Sequence, residues 1–298
     1  MNGILIIDKP KGFTSFDVIA KLRKKLGQKK IGHMGTLDPM ATGVLPILLG
    51  DTAKFQIFVN DNNKSYVAKI RFGVRTDTLD ITGNIIEERK SNVTGSELED
   101  TLKNFVGEIF QVPPMFSAIK QNGVKLCNLA RKGVEVEREK RKITIHSIEL
   151  LNFDFKNQEA VISVHCSKGT YIRSLCDDIG NALGSGAVLC DLRRTLSNGF
   201  SIESSVSLDK VIESPLDKVV DDYILPTEKL FENLKSVEIS PAQAVRFKNG
   251  GALMLSRVRF HDNINDKERY KVYSEKNFIG IGQADSESAE LKILKCLK

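Results

Sequence analysis

Tryptophan is absent from this 298-residue chain, and histidine occurs only at positions 33, 146, 165 and 261. No H-x-H or H-x-x-x-H spacing exists, and the five cysteines (127, 166, 176, 190 and 296) contain no C-x-x-C pair. An odd set of scattered thiols argues against a disulfide framework, and the missing ligand spacings argue against a zinc site. No uncharged apolar run approaches the ~20 residues of a membrane span. The apolar start, Met1 to Ile7, has no basic residue before it and meets a charge at Asp8. It reads as a first strand rather than a signal peptide, and a cytoplasmic location is expected. No glycine-rich loop follows a predicted strand and no repeat or low-complexity tract occurs, which disfavours a doubly wound nucleotide fold and a solenoid. No cofactor signature is present. Without tryptophan, any stacking on a ligand falls to Tyr, Phe, His or Arg.

Charge is the first positive signal. Forty-four Lys and Arg against 38 Asp and Glu leave a net charge of +6. Lys21, Arg23, Lys24, Lys25, Lys29 and Lys30 crowd into one decad, and Arg138-Glu139-Lys140-Arg141-Lys142 forms a second run. These runs are either solvated faces or contacts to a polyanion, and charge alone does not choose.

Hydrophobic periodicity predicts a strand over 3–7 and then a helix capped by Thr14 or Ser15. Val18, Ile19, Leu22 and Leu26 form its buried face and Gly27 its stop. The basic residues of that helix are expected on its free face. Val44 to Leu49 and Tyr66 to Phe72 read as strands. Thr94 and Glu97 spell a capping box for a short helix ending near Gly107. Val112-Pro113-Pro114 breaks regular structure. Strands are expected at 143–151 and 159–166, then a helix from Thr170 with Ile172, Leu175, Ile179 and Leu183 inward. Short helices and a connector fill 203–234. A separate unit then has one short helix and strands near 252–260, 269–273 and 278–283, with an exposed hairpin loop over 262–266. Strands and helices interleave without βαβ regularity, so the fold class is α+β with a mixed, mainly antiparallel sheet and a small β-rich C-terminal domain. The expected division is 1–234 and 235–298.

The most informative segment is Gly32-His33-Met34-Gly35-Thr36-Leu37-Asp38-Pro39-Met40-Ala41-Thr42-Gly43. Three glycines and a proline preclude a regular helix or strand and predict a stiff loop displaying Asp38. A carboxylate so held can be a nucleophile, a general base or a metal ligand, or only an Asx-turn residue. His33 alone reads as a structural hydrogen-bonder. In Gly169-Thr170-Tyr171-Ile172-Arg173, a helix start sends Tyr171 and Arg173 away from the apolar face. Arg173 then pairs with Asp177 one turn on, or reaches Asp38 and keeps it ionised. Tyr66, beside Lys64 at a strand start, has the chemistry to stack on an unpaired base.

These segments, in this order, resemble the TruB family of tRNA pseudouridine synthases. Asp8-Lys9-Pro10-Lys11-Gly12-Phe13-Thr14-Ser15 is similar to its D-K-P-x-G-x-T-S motif, and the Asp38 loop meets its G-H-x-G-x-L-D-P-x-A-x-G pattern. Lys64-Ser65-Tyr66, Arg75-Thr76-Asp77-Thr78, Val112 to Lys120, Gly169 to Arg173 and Leu189 to Thr195 follow. The resemblance implies a pseudouridine synthase-type catalytic domain and a PUA-like RNA-binding domain. It implies cofactor-free isomerisation of uridine 55 in the TΨC stem-loop of tRNA, by a protein with no obligate partner, expected as a monomer. It makes Asp38 the catalytic residue. Tyr66 stacks on the target base, Arg173 pairs with the aspartate, and Tyr171 and Leu192 line the uridine pocket. His33 holds the extruded loop, and Lys9, Pro10 and Asp77 are supporting. One departure is Val188, where relatives commonly have histidine in G-A-H-L. Two other readings remain: a tRNA-binding or tRNA-folding protein without turnover, and an N-glycoside hydrolase releasing uracil.

Overall fold

The computed structural model describes residues 1–297 apart from Asp61, Asn122, His261 and Asp262. Its named elements are β1 (Gly3–Lys9), α1 (Ser15–Leu26), β2 (Thr42–Leu49), β3 (Lys64–Phe72), α2 (Gly95–Lys103) and β4 (Gly107–Gln111). They continue with β5 (Arg141–Asp154), β6 (Glu159–Cys166), α3 (Ile172–Ala182) and β7 (Ala187–Ser197). The C-terminal part adds β8 (Lys235–Glu238), α4 (Pro241–Lys248), β9 (Arg269–Ser274), β10 (Asn277–Asp285) and β11 (Glu290–Cys296).

Among the described residues, eleven strands form one mixed sheet with the path β1-β2-β7-β3-β6-β5-β4. Its pairs are antiparallel except two: β2 with β7, and β1 with the short strand Val206–Ser207. The β2–β7 contact covers only Thr42 with Arg193 and Gly43 with Arg194, so the sheet parts on either side of it. The Asp38 loop enters the sheet at that seam.

Two apolar cores flank the seam. Val18, Ile19, Leu22 and Leu26 of α1 pack on Leu5 and Ile7 of β1 and Leu45, Ile47 and Leu49 of β2. Each fully buried side chain of this size contributes ~1.5–3 kcal/mol. α1 starts on a complete capping box between Thr14 and Asp17, and it ends on Gly27 at φ +60°. On the other side Ile172, Leu175, Cys176 and Ile179 of α3 cover the face of β3, β6 and β7 that carries Tyr66, Ala68, Ile70, Ile162, Val164 and Leu192. Val188, the departure noted above, is buried in β7.

The structure adjusts three expectations. The capping-box helix ends at Lys103, and Gly107 instead opens β4. The basic face of α1 is partly spent. Lys25 donates to the carbonyls of Ile212 and Ser214, Lys30 pairs with Asp51, and Arg23 lies over Phe16. Third, the strands on either side of the 262–266 loop do not pair with each other. Arg259–Phe260 and β9 both pair with β8, from opposite sides. That segment is therefore a crossover; its Asp262, like His261, lies outside the described residues. Among the described residues the C-terminal sheet has six strands, with β11 and β8 beyond those expected.

Candidate active site

The Asp38 loop is pinned from three directions, all by groups distant in sequence. From α1, Ser15 Oγ accepts from the Leu37 N–H at 2.9 Å. The Gly12 N–H donates to the Pro39 carbonyl at 2.8 Å. From β1, Lys9 is wholly buried, and its Nζ donates to the carbonyls of Phe13 (2.6 Å), Pro10 (2.9 Å) and Pro39 (3.4 Å). Burial pulls its pKa down to about 8, against the attraction of Asp38. Lys9 thus ties the loop, at Pro39, to the turn formed by Pro10 and Phe13. From β7, the fully buried Arg194 donates to the carbonyls of Val44 (2.7 Å), Gly35 (2.9 Å) and Thr36 (3.4 Å).

Two of the loop glycines follow from that packing. Gly43 has φ +103°, and a Cβ there would stand 2.2 Å from the Arg194 carbonyl oxygen, so the β2–β7 seam closes only on glycine. Gly35 has φ +73°, and a Cβ there would meet Arg194 Nη1 and Lys64 Cε, each at 3.3 Å.

So held, Asp38 presents its carboxylate to α3. Arg173 Nε lies 2.9 Å from Asp38 Oδ2 and 3.8 Å from Asp80 Oδ2. The same guanidinium donates to the carbonyls of Thr78 (3.0 Å) and Phe116 (2.9 Å), which fixes its plane. The Arg173 side chain is 5% exposed, whereas that of Asp38 is 37% exposed. The alternative partner, Asp177, is taken by Arg75 at 2.7 Å. Burial raises the Asp38 pKa above its ordinary value; Arg173 pulls it back, Asp80 adds to the rise, and Lys9 opposes it. The carboxylate is thus ionisable and oriented, with Arg173 beside it, an arrangement that suits a base or a nucleophile.

The remaining expected residues fall into two groups. Tyr66 and Leu192 lie in the same apolar cluster as Leu37 and Met40 of the loop. The Tyr66 hydroxyl is bonded to Arg194, and burial pushes its pKa up. Tyr171 is the residue that precedes α3; its backbone N–H and carbonyl are both bonded to the Gln111 side chain. His33 ends the short strand Ile31–His33 where the loop begins. Burial lowers its pKa, and its Nδ1 is buried without a hydrogen-bond partner among the described residues. Asp77 stands apart. It is exposed and spends both oxygens on Asn84. Three residues on, buried Asp80 accepts from Thr78 Oγ1 and the Thr82 N–H and is the acid that meets Arg173. Arg194 lies inside the 189–195 segment and Asp80 two residues beyond the 75–78 segment, but no local spacing signals their partners. Among the described residues, no group of three or more His, Cys, Asp and Glu is arranged to hold a metal ion.

A divided mixed sheet carrying one arginine-held aspartate on a loop at its seam places the chain among the pseudouridine synthases. Solved structures share the architecture across 99% of the chain. A Cbf5–Nop10–Gar1 complex matches at 27% identity, over 84% of its own chain, with a TM-score of 0.74. An H/ACA RNP bound to a substrate RNA containing 2′-deoxyuridine matches at 25%, over 85% of its chain, with a TM-score of 0.73. The family model for the N-terminal domain of TruB family pseudouridylate synthases matches residues 23–172. The tRNA pseudouridylate synthase B C-terminal domain matches 173–232, and the C-terminal model of pseudouridine synthase II TruB matches 236–290. A Clostridium tetani protein called tRNA pseudouridine synthase B is 45% identical over the whole of both chains. One of the same name from Alkaliphilus oremlandii is 41% identical over 100% of this chain and 98% of its own. The chain belongs to the TruB family and is an enzyme, an isomerase of the pseudouridine synthase class.

Proposed function

We propose that this enzyme converts uridine to pseudouridine at position 55 in the TΨC stem-loop of tRNA, with Asp38 as its catalytic carboxylate. The observation that carries the reading is the Asp38–Arg173 contact of 2.9 Å at the sheet seam. A protein that only bound RNA would gain nothing from an aspartate facing a polyanion. The names of the full-length relatives support tRNA as the substrate.

The chemistry detaches uracil at N1, turns it, and rejoins it to the ribose through C5, with the C5 proton lost and N1 gaining one. No redox partner or energy input is needed. The target base must leave its stack, at a cost of a few kcal/mol that pocket contacts return. Tyr66 stacks on the flipped base, Leu192 and Tyr171 wall it, and His33 holds the loop extruded. Asp38 then acts on the sugar or the base, oriented by Arg173. Lys9 and Pro10 serve by fixing the loop, and Asp77 by shaping the turn that carries Asp80. Residues 1–234 form the catalytic unit and 235–298 a PUA-like RNA-binding unit, in a protein that works as a monomer. The test is tritium release from tRNA labelled at uridine C5, with nucleoside analysis in parallel. One tritium per tRNA with pseudouridine at position 55 supports the reading. Free uracil would make the protein a hydrolase, and tight binding without release would make it a non-catalytic tRNA binder.

A further inference from the structure

Lys64 opens β3 two residues before Tyr66, and side chains two apart on a strand share a face. Its stem lies across the bare Cα of Gly35, three residues upstream of Asp38. A Cβ at that position would stand 3.3 Å from Lys64 Cε and 3.7 Å from its Nζ. The other buried or half-buried cations of the site are all engaged. Lys9 has three carbonyls, Arg194 has three, and Arg173 has Asp38 and two carbonyls. The Lys64 ammonium has no hydrogen-bond or ion-pair partner among the described residues. Burial lowers its pKa, the like charges of Arg194 and Lys168 add to that, and only the Cys166 thiol opposes them. A half-buried ammonium among like charges, with no carboxylate facing it, is a seat waiting for an anion.

We propose that Lys64, lying on Gly35, binds one of the two phosphodiesters that flank the flipped uridine and so registers that nucleotide against Asp38. The inference rests on the function proposed above. A nucleotide whose base meets Tyr66 and whose sugar meets Asp38 must carry its backbone along the same face of the loop. A compact ammonium suits a single phosphate oxygen as a point charge. Gly35 then has two tasks: its φ turns the loop, and its missing side chain leaves the groove in which Lys64 lies.

The experiment is a cycle between protein and RNA. Stem-loop RNAs carry a neutral methylphosphonate at the 5′ or the 3′ phosphate of the target uridine. Their affinities are measured for the full-length wild type and for Lys64→Gln, with thermal melting to confirm folding. At one of the two positions the neutral linkage should cost the wild type about tenfold, the size of one charge-assisted bond, and cost Lys64→Gln almost nothing further. Lys64→Gln should also lower the slope of log K against log salt by ~0.7–0.9, and Lys64→Arg should restore most of the affinity. Equal penalties in wild type and Lys64→Gln at both phosphates would overturn the assignment, as would an unchanged salt slope. If Lys64→Gln fails to fold, Lys64→Met replaces it in the same cycle. The two readings fail differently. If the proposed reaction is wrong, the wild type forms no pseudouridine from any substrate. If only the Lys64 assignment is wrong, product forms normally and the penalties are equal.

Discussion

Arg173 stands between two carboxylates, with its Nε 2.9 Å from Asp38 and 3.8 Å from Asp80. The nearer acid is partly exposed, and the farther one is buried and tied into its own turn by Thr78 and Thr82. The arrangement gives Asp38 a fixed direction and a tunable charge. Removing the charge alone is the sharpest probe. Asp38→Asn keeps the shape and should lower single-turnover pseudouridine formation by at least ~10³-fold, the scale of a lost acid–base or nucleophilic group. Its tRNA affinity should stay within a few-fold of wild type by filter binding. Near-normal turnover would remove Asp38 from the mechanism.

The neighbours of Asp38 push its pKa in opposite directions, which separates their roles. Burial raises it, Arg173 lowers it and Asp80 raises it. Taking away Arg173 removes a lowering influence, so the carboxylate ionises at higher pH. The acid limb of kcat/KM in Arg173→Met should therefore move to higher pH, along with a fall in rate from lost orientation. Asp80→Asn removes a raising influence, so its limb should move to lower pH. A pH–rate profile under single-turnover conditions reads both signs, and a shift of the two variants in the same direction would contradict this electrostatic account.

The Asp38 loop was legible in sequence because its chemistry is local. Three glycines, a proline and one aspartate in twelve residues admit few conformations. The amphipathic helices were legible for the same reason, and the caps at Thr14, Gly27 and Thr94 follow from their spelling. What sequence could not display were partners far along the chain. Arg194 reaches Gly35, Thr36 and Val44 across about 150 residues, and nothing near Arg194 announces those carbonyls. Asp80 lies two residues beyond the 75–78 segment, and nothing in its spelling distinguishes it from Asp77. The basic run misled in part because Lys25 of α1 and Lys30 after it find carbonyl and carboxylate partners in distant segments. The crossover at 259–269 was hidden because turn chemistry reports that a chain reverses, and not which strand it then joins.

Arg194 is the residue on which the seam depends. Replacing it with methionine leaves the carbonyls of Gly35, Thr36 and Val44 without their donor in a buried place. Each such orphan costs ~1–3 kcal/mol, partly offset by relief of a buried charge. Arg194→Met should lower stability by about 3 kcal/mol in urea unfolding, and turnover should fall further because Gly35 and Thr36 lie three and two residues before Asp38. A variant of wild-type stability would show that the loop holds itself.

Lys9 makes a pH prediction with a defined sign. Its folded pKa is about 8, against 10.5 when exposed. Between those values the unfolded chain binds more protons than the folded one, so this group makes stability rise with pH there. Below pH 8 both states carry the proton and the cost of burying the charge is fully present. Subtracting the stability curve of Lys9→Met from that of wild type, between pH 7.5 and 10, should leave a rising difference. A flat or falling difference would mean that the three carbonyls around Nζ compensate the buried charge completely.

The C-terminal sheet is more than an appendage. Phe55, fully buried, packs on Phe231 at 6.1 Å and on Phe278 of β10 at 5.9 Å, and Ile281 joins the same cluster with Ile4, Ile6 and Leu48 of the main sheet. Arg269 adds a bond to the Phe58 carbonyl at 3.4 Å. Deleting 235–298 would thus strip apolar cover from Phe55 as well as removing the proposed RNA-binding unit, and a loss of activity in that truncation would have two candidate causes. Phe278→Ala in the full chain separates them. It should cost about 2 kcal/mol, the scale of one buried aromatic contact, while leaving tRNA affinity nearly unchanged. The loss should appear as a lower midpoint of one cooperative urea transition. Two resolved transitions, the earlier confined to the C-terminal sheet, would instead show that residues 235–298 fold by themselves. A large loss of affinity without a loss of stability would place RNA against Phe278.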